Sequence, residues 1–280
     1  MFGIALALFS SLFEEAANSI GKKEVAAHVA SVYTFGFLGL LFSTSFFFCE
    51  GALRHTLVFS VASLPTFIPR LLLEMLQAYV TVKAITISDR GDFGFFKTLT
   101  IPVLLVVDFA LGYSVGMRQI LGMVLVLLPI GILIALEWKK IKGLSYLVIG
   151  TINAAVTISL YKYDITHFNS VEAEQALLGI ALLAFFLLFA LLKARENPFR
   201  YLRIPVFATL SVSNGLSGVA ASFAYSFAPA SVIATVLRSF SVLFAIATGR
   251  FYFHEKHLLL RAASFVLVTA GLLLLIPLRP

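Results

Sequence analysis

The chain has 280 residues, of which 60% are hydrophobic and only 12% charged, with a mean hydropathy of +0.99. A soluble globular domain carries about a quarter charged residues, so this composition excludes that class and describes a polytopic membrane protein. The net charge of +7 fits the positive-inside bias of cytoplasmic loops rather than a nucleic-acid partner, and a single cysteine, Cys49, excludes an internal disulfide.

Ten apolar spans are expected, roughly over residues 2–20, 29–49, 57–87, 94–113, 117–137, 143–162, 172–193, 203–227, 230–249 and 256–277, because about twenty apolar residues cross a bilayer as a helix. The first run lacks a cationic n-region and ends in Glu14 and Glu15, so it is read as a retained helix rather than a signal peptide. The connections after the odd-numbered spans hold most of the cations, among them Lys22, Lys23, Arg90, Lys139, Lys140, Lys193 and Arg250. That bias predicts cytoplasmic odd connections and termini outside, in a multi-pass protein of the plasma membrane.

Polar residues within the spans are the informative ones, since a charge at mid-membrane costs about 2.5–3.5 kcal/mol on insertion scales and faces the protein interior or a wet cavity. Span 1 aligns Ser10 or Ser11 with Glu14 and Asn18. In span 3, Arg70, Glu74, Gln77 and Thr81 follow at steps of four, three and four, which sets all four on one helix face. Span 4 carries Lys97, with Asp108 three turns further on the same face. Span 6 aligns Asn153, Thr157 and Tyr161; span 8 aligns Ser211, Asn214, Gly218, Ser222 and Tyr225; span 9 aligns Ser231, Thr235 and Arg238. The middles of spans 5, 7 and 10 are almost purely apolar, so they are expected against lipid or against a second copy in a homodimer. The polar-striped spans 1, 3, 4, 6, 8 and 9 then surround a central cavity.

The two halves repeat. Residues 96–100 (FKTLT) lie over 237–241 (LRSFS) at a shift of 141, Arg118 over Arg261 at 143, and Gly131 over Gly271 at 140. Two halves, 1–138 and 139–280, each with an odd number of spans, must face the membrane in opposite senses, which is the inverted-repeat plan of secondary transporters.

With ten spans, this duplication, Ala228-Pro229-Ala230 leading into the ninth span, the Phe253-His254-Glu255-Lys256 turn and Gly271 in the last run, the chain resembles the drug/metabolite transporter superfamily, most closely its EamA-like members. The resemblance implies an all-α integral membrane fold of ten helices and alternating-access transport of small metabolites or drugs. It departs from that pattern at Gly112-Tyr113-Ser114, where an acidic residue is often found in the turn. Phe96-Lys97-Thr98-Leu99-Thr100 is similar to the lysine-bearing helix of nucleotide-sugar transporters, which implies an anion-binding role for Lys97 and Arg238. Glu14 followed by Lys22 is similar to the small multidrug resistance exporters, which implies proton or cation coupling instead.

Each functional reading has a bland counterpart. Lys97 and Arg238 either attract an anion at the midplane or neutralise a carboxylate of a neighbouring helix, Asp108 or Glu74 being available. Arg70 and Glu74, at i and i+4, can satisfy each other. One of Glu14 and Glu15 is expected in the cavity and the other beside Lys22 or Lys23. Amides and hydroxyls such as Asn153, Asn214, Tyr161 and Tyr225 order a substrate or join helices. No His/Cys cluster for a metal, no phosphate-binding glycine loop and no nucleophile–base spacing occurs in the sequence, so neither cofactor nor enzyme is expected. The expected substrate site comprises Glu14, Arg70, Glu74, Lys97, Asn153, Asn214, Tyr225 and Arg238, in a metabolite or drug transporter, with an anion exchanger or a lipid flippase subunit as alternatives.

Overall fold

The computed structural model describes residues 2–104 except 28, residues 141–253 except 228 and 229, and short stretches between 117 and 132 and between 266 and 274. All regular structure among the described residues is helical: α1 (Phe2–Ala26), α2 (Val32–Leu53), α3 (Leu64–Ile87), α4 (Arg90–Thr98), α5 (Leu144–His167), α6 (Val171–Phe189), a single turn α7 (Pro198–Tyr201), α8 (Pro205–Phe227) and α9 (Ala230–Phe251). Among the described residues five stretches are long and apolar enough to cross a membrane, namely α2, α5, α6 with its π-helical continuation to Ala194, α8, and α9 from Ile233. Helices α1 and α3, of 25 and 24 residues, also reach across about 36 Å at 1.5 Å per residue, but they carry the charges of the interior. The expected fifth and tenth spans lie largely outside the described residues, as do Asp108 and the side chain of Ser231.

Three boundaries differ from the hydropathy reading, each for a local reason. Helix α3 begins at Leu64 rather than 57, because Ser60 caps a short 3-10 turn, Val61–Ser63, and Pro65 then occupies the first helical turn, where a missing N–H costs nothing. Helix α4 begins at Arg90, directly after Asp89 in extended backbone, so the arginine belongs to the helix and not to a loop. Helix α1 runs on to Ala26 through its lysines. At the start of α5, Gly143 has φ 72°, a left-handed conformation that favours glycine, and Ser88 Oγ donates to the Lys142 carbonyl at 2.8 Å, fastening the α3–α4 junction to it.

Helix α1 lies against α8 and α9, α2 against α6 and α8, α3 against α5, and α4 against α9. Small residues permit these approaches, as they do generally between helices in membranes. A Cβ on Gly215 of α8 would stand 2.5 Å from the Phe42 Cβ, and one on Gly179 of α6 would stand 2.3 Å from Thr44 Oγ1. Helix α6 is therefore not wholly lipid-facing. Leu177, Ile180 and Leu188 are exposed, whereas Ala173, Ala176, Leu182 and Phe186 are buried on the side that meets α2.

The chain alternates between two ends of the bundle. At one end Ser170 caps α6 by accepting from Ala173 N at 3.2 Å, and Ser170 N donates to the Val58 carbonyl at 2.9 Å. At the other end Ser31 caps α2, and the Ser31 N–H and the Thr34 hydroxyl donate to the Glu196 carboxylate at 3.0 Å and 2.5 Å. Lys22 and Lys23 stand over the rings of Phe253 and Tyr252 at that same end.

Candidate functional site

The α3 face anticipated from residue spacing borders three adjoining cavities, or lobes, that share lining residues. The first, about 290 Å³, is bordered by Arg70, Glu74, Tyr161, Gln175, Ser222 and Tyr225. The second, about 250 Å³, is bordered by Glu14, Asn18, Glu74, Gln77, Thr81 and Asn214. The third, about 60 Å³, is bordered by Gln77, Thr81, Lys97, Thr100 and Arg238. Glu74 borders the first two lobes, and Gln77 and Thr81 border the second and third, so one helix face carries a continuous polar wall.

Lys97 Nζ donates to Glu14 Oε1, joining α4 to α1, and Ser241 Oγ of α9 stands 3.4 Å from Glu14 Oε2. The lysine is thus paired with the carboxylate of span 1 rather than with Glu74; Asp108 lies outside the described residues. Arg238 on α9 makes no ion pair among the described residues, and its buried Nε has no hydrogen-bond partner there. This end of the cavity holds two cations and one carboxylate.

The opposite end has the reverse balance. Arg70 Nη1 donates to Glu174 Oε1 of α6, whereas Arg70 Nε stands 3.9 Å from Glu74 Oε1, too far for a hydrogen bond. The expected i,i+4 pair is therefore secondary to one between helices. Asn169 Nδ2 donates to Glu174 Oε2 at 2.5 Å and to Ser63 Oγ at 3.0 Å, Thr66 Oγ1 donates to buried Asp164 at 2.5 Å, and the Arg70 guanidinium lies 4.6 Å from the centre of the Tyr161 ring. One cation faces two carboxylates, with Asp164 a third nearby. Tyr161 is 6% exposed and its hydroxyl, which borders this lobe, has no hydrogen-bond partner among the described residues.

A third ion pair is fully structural in form. Glu15 receives Arg90 Nε at 3.1 Å and Nη2 at 2.7 Å, together with Thr248 Oγ1 at 2.6 Å and Ser19 Oγ at 3.1 Å. Glu15 therefore pairs with the start of α4, not with Lys22 or Lys23. The bidentate fork closed by hydroxyls satisfies both carboxylate oxygens, as a buried pair requires.

The amides join helices. Asn153 Nδ2 donates to the Leu73 carbonyl at 2.8 Å and to Gln77 Oε1 at 3.0 Å, clamping α5 to α3, and Asn214 Nδ2 donates to the Gly39 carbonyl at 2.8 Å, clamping α8 to α2. Tyr225 stands edge-on to Tyr161 with centroids 6.3 Å apart, and its carbonyl accepts from Lys162 at 3.3 Å. Of the expected site residues, Glu14, Arg70, Glu74, Lys97, Tyr225 and Arg238 border the cavity, as does the far side of Asn214, while Asn153 supports its wall. Glu174, Asp164 and the Arg90 pair escaped the sequence reading. Glu174 lies in the first turn of an otherwise apolar run, where an acid reads as a loop flank, and only the packing of α6 beside α3 reveals its partner.

Comparison with known proteins finds no family model that matches this chain and no curated protein similar to it.

Proposed function

We propose that the chain is a secondary transporter of small metabolites, built from ten spans in two inverted five-helix repeats like those of the EamA-like transporters, and working by alternating access in the plasma membrane. The observation that carries this reading is a set of adjoining cavities lined by charged side chains within an apolar helical bundle and bordered by helices of both halves. Ionisable groups are retained inside a membrane where a substrate or ion passes.

The packing supports the duplication. Exchanging the halves carries α1 beside α8 into α5 beside α3, and carries the α2–α6 and α4–α9 contacts onto themselves. Ser31 and Ser170, which cap the second helix of each half, stand 139 positions apart in the sequence. Lys97 and Arg238 occupy corresponding helices and border one lobe. The Arg70–Glu174 ion pair, which joins α3 of the first half to α6 of the second, is a contact that a rocking of the two halves would have to break and remake.

A second reading, exchange of nucleotide-sugar-like anions, rests on one observation, that Arg238 makes no ion pair among the described residues and its buried Nε has no hydrogen-bond partner there.

Accessibility tests the path. In a Cys49→Ser background, Thr81→Cys and Ser222→Cys should each react with a membrane-impermeant maleimide applied to the two sides of the membrane in separate experiments. Protection of both positions from both sides contradicts a transport path through this cavity.

A further inference from the structure

The two ends of the cavity carry opposite excess charge, and that polarity has a ligand chemistry. Toward Arg238 there are two cations, Lys97 and Arg238, and one carboxylate, Glu14, which is already paired with Lys97. Toward Tyr161 the cation among the described lining residues is Arg70, already paired with Glu174, and Glu74 faces both adjoining lobes. Groups at each end lack full satisfaction: Arg238 Nε has no acceptor at one, and Tyr161 Oη and Arg70 Nε have no hydrogen-bond partner among the described residues at the other. Buried polar atoms are ordinarily satisfied, so a guanidinium without an acceptor and a hydroxyl beside a loosely paired carboxylate mark where ligand atoms belong.

The spacing follows from α3. Glu74 borders the Tyr161 lobe, while Gln77 and Thr81, three and seven residues on, border the lobe that contains Arg238. Three to seven residues at 1.5 Å rise are about 4.5–10 Å, one to two turns.

We propose that the cavity binds an elongated zwitterion, an ammonium group at Glu74 and Tyr161 and an anionic group at Arg238, with the charges about 4.5–10 Å apart along α3. A simple anion or a simple cation does not satisfy both ends. The chemistry is that of an unblocked peptide of about two or three residues, since an extended chain advances about 3.3–3.6 Å per residue, or of an ω-amino carboxylate of similar length. Glu14 and Lys97, neutral as a pair, form the wall between the two poles. This assigns a substrate class to the transport reading and rests on that reading only for the step from binding to movement.

The test uses the purified full chain in detergent and four compounds that differ only in charge or length: triglycine, N-acetyl-triglycine, triglycinamide and glycine. A ligand of the native state raises its melting temperature by mass action. Triglycine should raise it in a saturable manner, and the acetylated, amidated and short compounds should bind about 10-fold to 100-fold more weakly, the loss of one charge-assisted hydrogen bond. In Arg238→Gln triglycine should bind no better than triglycinamide, and in Glu74→Gln no better than N-acetyl-triglycine. Equal binding of the acetylated compound and triglycine overturns the ammonium pole, equal binding of the amide overturns the anion pole, and no shift with any of them overturns both poles; all three results come from the unmodified protein. Uptake of labelled triglycine into proteoliposomes separates the two ideas: binding without uptake sinks transport and leaves the zwitterion site standing, whereas uptake of a blocked compound at the same rate sinks the zwitterion site and leaves transport standing.

Discussion

Glu14 of α1 and Lys97 of α4 form an ion pair inside the bundle, both side chains partly exposed to the cavity. This relationship divides the two cations that a sequence repeat makes look equivalent, since Lys97 has a carboxylate and Arg238 has none among the described residues. Removing Lys97 alone strands a carboxylate, so Lys97→Met should lower stability by about 1–3 kcal/mol. Adding Glu14→Leu should recover most of that loss, measured by the melting temperatures of the two variants. A double variant no more stable than Lys97→Met would mean that the pair does not interact as described.

The Arg90 and Glu15 pair is buried on both sides, at 0% and 6% side-chain exposure. Breaking such a pair is costly because the survivor has no water. Arg90→Met is expected to destabilise the protein by about 3–5 kcal/mol, and Arg90→Lys, which keeps the charge but not the fork, by less. Thermal unfolding in detergent orders the three proteins, and a lysine variant as unstable as the methionine variant would assign the effect to geometry alone.

Two glycines of α8 should respond in opposite directions to the same change. Replacing glycine by alanine in a helix interior favours the helix by about 0.5–1 kcal/mol. At Gly218 the new methyl meets Ser43 Cβ at 3.5 Å, an ordinary contact, whereas at Gly215 it meets Phe42 Cβ at 2.5 Å. Gly218→Ala should melt no lower than the parent, and Gly215→Ala should lose about 1–3 kcal/mol through overpacking.

The two amides separate structure from recognition. Asn153→Leu and Asn214→Leu remove helix-to-helix hydrogen bonds, and each is expected to cost about 0.6–2 kcal/mol of stability. Ligand affinity in these variants should stay within about threefold of the parent, less than 1 kcal/mol. Isothermal titration with whichever compound raises the melting temperature checks both; a larger fall in affinity for Asn153→Leu would make that residue a ligand contact.

Much of the molecule was legible in the residues, for definite reasons. Step patterns of three and four find interior helix faces, and the face of Arg70, Glu74, Gln77 and Thr81 does border the cavity, because a helix buries its polar stripe when lipid surrounds it. What spacing cannot give is which helix lies opposite. Glu174 and Arg70 are 104 positions apart, and Arg90, a loop cation by hydropathy alone, lies in the first turn of α4 after Asp89. Polar amides were ambiguous for the same reason, since donor chemistry is identical whether the acceptor is a substrate or the Gly39 carbonyl. Boundaries failed where a proline or a serine cap, as at Pro65 and Ser60, restarted the chain inside an apolar run.

The most direct test of transport through this cavity is counterflow in proteoliposomes, with a panel of amino acids, short peptides, phosphorylated metabolites, nucleotide sugars and quaternary ammonium compounds, for the parent, Glu74→Gln and Arg238→Gln, each with its melting temperature. Transport predicts accumulation of at least one compound by the parent and at least about a tenfold loss in both variants, equivalent to about 1.4 kcal/mol, with melting temperatures unchanged. No accumulation by the parent, or accumulation indifferent to both substitutions, would contradict it.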